Sequence, residues 1–191
     1  MGCLVMGELC AASAQSKKPG FFELKIYRLT GKEQEDKVDA FLKDSYLPAL
    51  HKSGIKNVGV FKPIESDTTF GKRLYVLIAY SSLDQFEQTS RLLAGSGVQG
   101  GNEYLDADYT NPPYARIESV VLRAFPGMPG MEVPNHATPR TERIYELRSY
   151  EGPTEKYYRS KVKMFNDGDE IGLFKRLGFN AVFYAEVIAG S

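Results

Sequence analysis

The sequence predicts an α+β fold in which one small unit occurs twice along the chain. Residues 22–27, FELKIY, alternate apolar and polar side chains as a half-buried strand does. Residues 145–150, YELRSY, repeat this pattern position for position. A glycine follows each segment at a similar distance, because Gly54 comes 27 residues after the first segment and Gly178 comes 28 residues after the second. A spacing that is kept with a single insertion indicates an internal repeat.

The first copy contains four strand patterns and two helix patterns. In chain order we expect strand 22–27, helix 32–52, strand 55–64, strand 74–80, a helix that begins at Ser82, and strand 117–125. Gly54 is expected to end the first helix, because glycine tolerates the left-handed backbone just past a helix C-terminus. The order β-α-β-β-α-β is that of a ferredoxin-like unit.

The second copy is expected to be incomplete. After strand 144–150 we predict a helical region from Pro153 to about Arg176 and a strand over 179–188, with no third strand and no second helix. The predicted fold class is therefore α+β, with tandem ferredoxin-like units of which the second is cut short. The predicted domains are a first unit at 21–125, a linker at 126–141 and a second unit at 142–191.

Residues 1–20 form a separate leader. A short apolar stretch runs into the sequence ASA at 12–14, a pattern typical of the end of a secretory signal peptide. We therefore expect export to the periplasm or the outside of a bacterial cell, and the alternative is a disordered leader. Both cysteines, Cys3 and Cys10, lie in this leader, so the processed chain would have no disulfide and no cysteine-ligated metal.

Charge and hydropathy argue against two classes of partner. The 24 Lys and Arg residues balance 24 Asp and Glu residues, so the chain has no overall field that would attract nucleic acid. No apolar run approaches the ~20 residues needed to cross a bilayer, so no transmembrane span is predicted.

The two histidines, His51 and His136, are far apart, and we predict no metal site and no bound cofactor. His51 is expected to offset the dipole at the end of the first helix, and haem ligation by His51 is the alternative.

Residues 145–150, the helix after them and the Leu177-Gly178-Phe179 turn into an aromatic strand resemble the opening of the NIPSNAP domain. This domain is a member of the dimeric α/β-barrel superfamily, and the first copy resembles a more divergent version of the same unit. The resemblance implies that ferredoxin-like units associate through their sheets into a barrel, and it is compatible with a homo-oligomer formed through sheet faces. Members of the family mostly have no defined biochemical role, so the resemblance itself implies no reaction.

The opening strands carry the candidate site residues. Strand alternation places Phe22, Leu24 and Ile26 on one face, and we expect this apolar face to pack on the helices. The opposite, polar face would then point into the barrel. The candidate ligand-binding residues of the two polar faces, with one tyrosine from strand 74–80, are Glu23, Lys25, Tyr27, Tyr75, Glu146, Arg148 and Tyr150.

The sequence leaves two interpretations of these side chains. In a closed interior, Glu23 would pair with Lys25 and Glu146 with Arg148, and the pairs would be structural. Around a pocket, a carboxylate, a cation and a phenol would converge on a small polar or anionic molecule. The leading hypothesis is a protein that binds a small molecule or a partner through the barrel interior. The alternatives are a cofactor-independent, monooxygenase-like enzyme acting on a small aromatic substrate, and an assembly module without a ligand.

Overall fold

The computed structural model describes residues 20–94, 98–139 and 142–190, and the predicted signal peptide with both cysteines lies outside these ranges. The described strands are β1 (Phe21–Arg28), β2 (Val58–Phe61), β3 (Arg73–Tyr80), β4 (Arg116–Ala124) and β5 (Ala185–Ala189). The described α-helices are α1 (Lys32–Phe41), α2 (Leu47–Lys52), α3 (Leu83–Ala94), α4 (Asn102–Leu105), α5 (Glu155–Asn166) and α6 (Glu170–Arg176). A π-helical turn, Leu42–Tyr46, joins α1 to α2.

The strands form one antiparallel sheet in the order β2-β3-β1-β4-β5. Strand β1 is central, and its first residue, Phe21, lies opposite Tyr80 of β3 and Arg123 of β4. The first four strands and their two helical connections have the ferredoxin-like topology, so the predicted α+β class and the β-α-β-β-α-β order are confirmed. The sheet is open rather than closed into a barrel.

The long connection between β1 and β2 is helical over Lys32–Lys52, as predicted. It ends at Gly54, whose φ of 88° lies in the left-handed region. The Gly54 N–H donates to the His51 carbonyl at 3.1 Å and the Ile55 N–H donates to the Leu50 carbonyl at 3.0 Å. This pair of bonds is a Schellman motif, so the predicted helix stop is confirmed. The π-helical turn within the helix was not predicted.

A core lies on each face of the sheet. The helix-facing core contains Tyr27 from β1, Leu74, Val76 and Ile78 from β3, and helical residues that include Val38 and Leu42. The opposite core is made by Phe22, Leu77, Val120, Leu122 and Ala124, and it is covered in part by Met131, Val182 and Phe183 from the later part of the chain. The two halves of the chain are therefore packed on each other through the sheet face that carries no helices of the first unit.

The predicted opening strand of the second copy is wrong in this structure. Residues 143–150 have no strand partner among the described residues, and Ile144, Leu147 and Tyr150 are exposed. The strand predicted over 179–188 is formed only at Ala185–Ala189, and it joins the first unit's sheet beside β4. A strand is stable only when another strand completes its hydrogen bonds, and residues 143–150 lack that partner here.

The helix stop of the second copy nevertheless matches that of the first. Gly178 has a φ of 82°, its N–H donates to the Lys175 carbonyl at 3.1 Å, and the Phe179 N–H donates to the Phe174 carbonyl at 3.0 Å. The two segments therefore share the geometry of the helix C-terminus and differ at the opening strand. Within the described ranges, no helix is both long and apolar enough to span a bilayer.

Candidate functional site

A carboxylate is buried between the sheet and the helices of the first unit. Glu23 on β1 is 3% exposed. Its Oε1 accepts a hydrogen bond from Ser119 Oγ at 2.6 Å and contacts Lys25 Nζ at 3.0 Å. Its Oε2 accepts a hydrogen bond from Tyr80 Oη at 3.0 Å. Three adjacent strands thus supply the donors, and the ion pair with Lys25 compensates the buried charge.

Tyrosine hydroxyls surround this carboxylate. Burial raises the pKa of Tyr27 to about 12; a hydrogen bond with Tyr104 opposes this shift, and the charge of Glu23 adds to it. Burial first, and then the charge of Glu23, also raises the pKa of Tyr46 and of Tyr80 well above the ordinary value. These phenols are consequently neutral across the physiological pH range. We call the group Glu23, Lys25, Tyr27, Tyr46, Tyr80, Tyr104 and Ser119 the buried polar cluster.

Tyr46 is distinguished within the buried polar cluster by its hydroxyl group. The side chain is 2% exposed, and its Oη has no hydrogen-bond partner among the described residues. A buried, unpaired hydroxyl costs free energy, on the order of 1–3 kcal/mol. Tyr46 is also the last residue of the π-helical turn, a local geometry that occurs frequently at functional sites. The unpaired hydroxyl and the irregular helix together make Tyr46 a candidate functional residue.

The wall around Tyr46 is aromatic. The Phe41 ring stacks on Tyr46 with centroids 5.8 Å apart, and on Tyr104 with centroids 3.7 Å apart. A loop that contains Gly101 closes over the π-helical turn, and a Cβ atom at Gly101 would lie 2.9 Å from Phe41 and 3.0 Å from Ser45 Oγ. Only glycine permits so close an approach of this loop to the helix.

The predicted orientation of the opening strand is wrong. Glu23, Lys25 and Tyr27 face the helices, whereas Phe22 and Leu24 face the opposite core. The physical reason is that the charge of Glu23 is neutralised within its own face, so this face can be covered by helices without an unpaired ion. The predicted residues Glu23, Lys25 and Tyr27 are therefore brought together, but in the interior of the unit rather than in a barrel.

Tyr75 does not lie with Glu23, Lys25 and Tyr27. It lies opposite Ile26 in the register of β1 and β3, and so it shares the face of Phe22 and not that of Tyr27. Its hydroxyl group accepts a hydrogen bond from Arg73 Nη1 at 3.4 Å. Tyr27 and Tyr75 therefore lie on opposite faces of the sheet and do not line a common pocket.

The candidate residues of the second copy are exposed. Arg148 donates from Nε and Nη2 to the two carboxylate oxygens of Glu146 at 2.9 and 3.0 Å, and these hydrogen bonds lower the pKa of Glu146. The Arg148 guanidinium also lies over the Phe179 ring at 5.4 Å from its centroid. Tyr150 packs on Phe165 at 5.6 Å between centroids. The two copies thus show the predicted ion pairs, but only the first pair is enclosed.

Sequence reasoning missed Tyr46, Tyr80, Tyr104 and Ser119. A signal existed for Tyr46, because it lies four residues after Leu42 and four before Leu50, on the buried stripe of the helix. The contribution of Ser119 depends on the register between β1 and β4, which local sequence does not specify.

His51 makes a local contact at the end of α2 and is not a member of the buried polar cluster. His51 lies in the last turn of α2, and its Nδ1 is 2.9 Å from the carbonyl oxygen of Ile55. In the part of the chain that the structure describes, no three His, Cys, Asp or Glu side chains are grouped so that they could hold a metal ion.

No protein-family model matches the chain, and no curated protein matches it. A solved structure with some similarity is that of a dimeric ferredoxin-like protein from an uncultured marine organism. The two sequences are 13% identical, and the match covers 65% of this chain and 96% of that chain with a TM-score of 0.39. A similarity at this level supports no conclusion about function or assembly, so functional conclusions rest on the side chains of this chain alone.

Proposed function

We propose that the protein binds a small molecule in the interior of its first unit, between the helices and the sheet, with the Tyr46 hydroxyl as the hydrogen-bond donor. The observation that carries the proposal is that this hydroxyl is buried within the buried polar cluster, near the charge of Glu23, and has no hydrogen-bond partner among the described residues. A ligand oxygen or nitrogen that accepted this hydrogen bond would remove the cost of the unpaired group.

The chemistry of the walls indicates the class of ligand. The Glu23 charge is already compensated by Lys25, so the cluster has no net charge to offer an ion. The rings of Phe41, Tyr46 and Tyr104 are stacked in one aromatic group, so the surroundings of the Tyr46 hydroxyl are mostly apolar. A small, uncharged, planar molecule with a carbonyl or similar acceptor fits these properties best, because the walls are aromatic and the unpaired Tyr46 hydroxyl can donate a hydrogen bond.

Binding is better supported than proton-transfer chemistry. Both oxygens of Glu23 are engaged by donors, and the raised pKa of Tyr27 and of Tyr80 keeps their phenols protonated at neutral pH. A general base must be able to take up a proton near the working pH, and none of these groups is placed to do so. The monooxygenase-like alternative is therefore the less favoured of the two.

Acetophenone, a minimal aryl ketone, is a suitable probe for the proposal. We expect saturation-transfer NMR to detect its binding to the full chain, and Tyr46→Phe to weaken that binding about tenfold, the value of one hydrogen bond of roughly 1.4 kcal/mol. Tyr109→Phe is the matched control, since Tyr109 is 90% exposed. Equal affinities of the wild type and Tyr46→Phe for acetophenone would contradict the role of Tyr46.

We also propose that the protein is exported and that its second unit is of the NIPSNAP type. Export is supported by the small-residue pattern at 12–14 in the leader. The NIPSNAP-type unit is supported by the YELRSY segment and by the helix stop at Gly178, which repeats the geometry of Gly54. Expression in a bacterial host tests export, because the mass of the chain recovered from the periplasm shows whether the leader has been removed after residue 14.

A second candidate function is assembly, and the edge strand β5 favours it. Val187 and Ile188 on this edge are 47% and 36% exposed. An exposed apolar edge with free backbone groups is a template for pairing with another strand, including that of a second copy and thus a barrel of two sheets. Val187→Lys would then lower the molar mass measured by light scattering after gel filtration, whereas an unchanged mass would exclude this edge as the contact.

A further inference from the structure

Three arginines lie side by side on the sheet face opposite the buried polar cluster. Arg28 of β1 lies directly opposite Arg73 of β3 and directly opposite Arg116 of β4. Side chains at such positions have Cβ atoms about 4.5–5.5 Å apart, and like charges there destabilise a sheet. We call Arg28, Arg73 and Arg116 the arginine row. Its geometry is unfavourable unless negative charge is placed against it.

The row's own carboxylate does not balance it. Glu118 Oε1 lies 2.6 Å from Arg28 Nε and 3.3 Å from Arg116 Nε. The hydrogen bond from Arg28, followed by the charges of Arg28, Arg116 and Arg73, lowers the pKa of Glu118, which shows that all three guanidiniums act on one carboxylate. Among the described residues, three positive charges thus share one contacting carboxylate, which leaves an excess of two positive charges over direct ion-pair partners.

Arg73 is the least occupied member of the row. Its Nη1 donates to the Tyr75 hydroxyl at 3.4 Å, and no described carboxylate oxygen lies within 4 Å of it. The hydrogen bond with Tyr75 is the main cause that raises the pKa of Arg73, and Asp67 contributes least, as a more distant charge. The Asp67 carboxylate is held by the Thr69 hydroxyl at 2.6 Å. The Arg28 and Arg116 side chains are 47% and 71% exposed, so the row is open to a ligand from solvent.

We propose that the arginine row binds an oxyanion that carries about two negative charges, such as the phosphate group of a small ester. Planar guanidiniums bind phosphate and carboxylate oxygens through paired N–H donors, and adjacent strands hold three of them at one edge of the same face. Ile26 and Tyr75 form the next row of the same face, so an apolar group attached to the anion would rest on them. This site is independent of the interior site, because it lies on the other side of the sheet.

Titration of the full chain with inorganic phosphate, phenyl phosphate and citrate at constant ionic strength tests the proposal. We expect calorimetry to show that Arg73→Gln weakens phosphate binding about tenfold or more, since it removes a charged, bidentate donor. Arg159→Gln is the matched control, because Arg159 is an exposed arginine on α5 that is paired with Glu155. Its affinity for phosphate should equal that of the wild type.

The three anions distinguish the sources of the oxyanion. Tighter binding of phenyl phosphate than of inorganic phosphate supports a phosphate ester whose ring rests on Ile26 and Tyr75. Preferential binding of citrate would show that the ligand of this site is a polycarboxylate rather than a phosphate ester. Absence of binding of all three anions, or equal losses in Arg73→Gln and Arg159→Gln, would overturn the proposal.

A melting experiment separates loss of the site from loss of the fold. Without anion and at low ionic strength, Arg73→Gln should melt at the wild-type temperature or above it, because the substitution relieves repulsion with Arg28. Phosphate should raise the melting temperature of the wild type and not that of Arg73→Gln. A lower melting temperature of Arg73→Gln with an unchanged response to phosphate would make Arg73 a structural residue and refute its role in binding.

Discussion

Replacing Lys25 by methionine would leave the Glu23 carboxylate in the core without its counter-ion. Glu23 is 3% exposed, and after the change it would keep only the hydroxyl donors of Tyr80 and Ser119. Breaking a buried ion pair costs about 3–5 kcal/mol, and the two remaining hydrogen bonds place Lys25→Met near the lower end of that range. We expect a loss of about 3 kcal/mol in the free energy of unfolding.

Replacing Glu23 instead of Lys25 should cost less free energy of unfolding. Glu23→Gln keeps an acceptor for one hydroxyl donor, and the Lys25 side chain retains 14% exposure through which water can reach the ammonium group. We expect a loss of about 1–2 kcal/mol. The double variant contains no buried charge, so it should resemble Glu23→Gln alone. The coupling between the two substitutions would then be about 3 kcal/mol.

Urea unfolding followed by circular dichroism gives all four free energies. Arg91→Met is the surface control, because Arg91 pairs with Glu87 on α3 and both side chains are more than half exposed. Such a pair is worth about 0.5 kcal/mol or less. A loss below about 1 kcal/mol in Lys25→Met, or additive effects in the double variant, would refute the conclusion that the pair compensates a buried charge.

Three further predictions concern the helix stop, the exposed ion pair and alkaline pH. Gly178→Val should lower the free energy of unfolding by about 1–2 kcal/mol, because a β-branched residue tolerates a φ of 82° poorly; an unchanged urea midpoint would contradict this. Glu146→Ala and Arg148→Ala, made singly and together, should have nearly additive effects on the urea midpoint, because the pair is exposed; a clear coupling in the same assay would show a buried role. Burial raises the pKa of Tyr27 to about 12 in the folded state, from about 10 in the unfolded state. The contribution of this group to the free energy of unfolding is therefore fully present at pH values well below 10, and it should fall by about 2 kcal/mol between pH 10 and 12. Absorbance at alkaline pH checks this, since ionisation of Tyr27 in the folded protein near pH 10 would disprove the shift.

Local sequence was sufficient for the four strands and the two long helical connections of the first unit, but not for the π-helical turn or for α4. The amphipathic stripe over 32–52 and the glycine after it predicted the helix and its end, because a helix is held by bonds between residues close in sequence. The strands β1, β3 and β4 were likewise recognisable by alternation and β-branched or aromatic composition. Their arrangement followed from the order of elements, since few topologies satisfy a β-α-β-β-α-β chain.

Alternation could not decide which strand face meets the helices. It places Glu23 and Tyr27 on one face and Phe22 and Leu24 on the other, and the expectation that the apolar face packs on the helices assumed only one covered face. In the structure both faces are covered, one by helices and one by the later part of the chain. The polar face can meet the helices because Lys25 neutralises Glu23. The carboxylate also accepts hydrogen bonds from Tyr80 and Ser119, which are distant from it in sequence. The residues that complete the buried polar cluster were missed for the same reason.

The two copies of the opening segment show how far such local information extends. FELKIY is the central strand of a sheet, whereas YELRSY, with the same alternation, is extended without a strand partner among the described residues. In a ferredoxin-like unit the first strand is paired by the third and fourth strands, and β1 has both in β3 and β4. The described chain after residue 142 contains only β5, whose ladder is formed with β4. The same sequence pattern therefore yields a strand only where non-local partners complete its backbone hydrogen bonds, while the glycine stops at 54 and 178, which depend on local bonds, form in both copies.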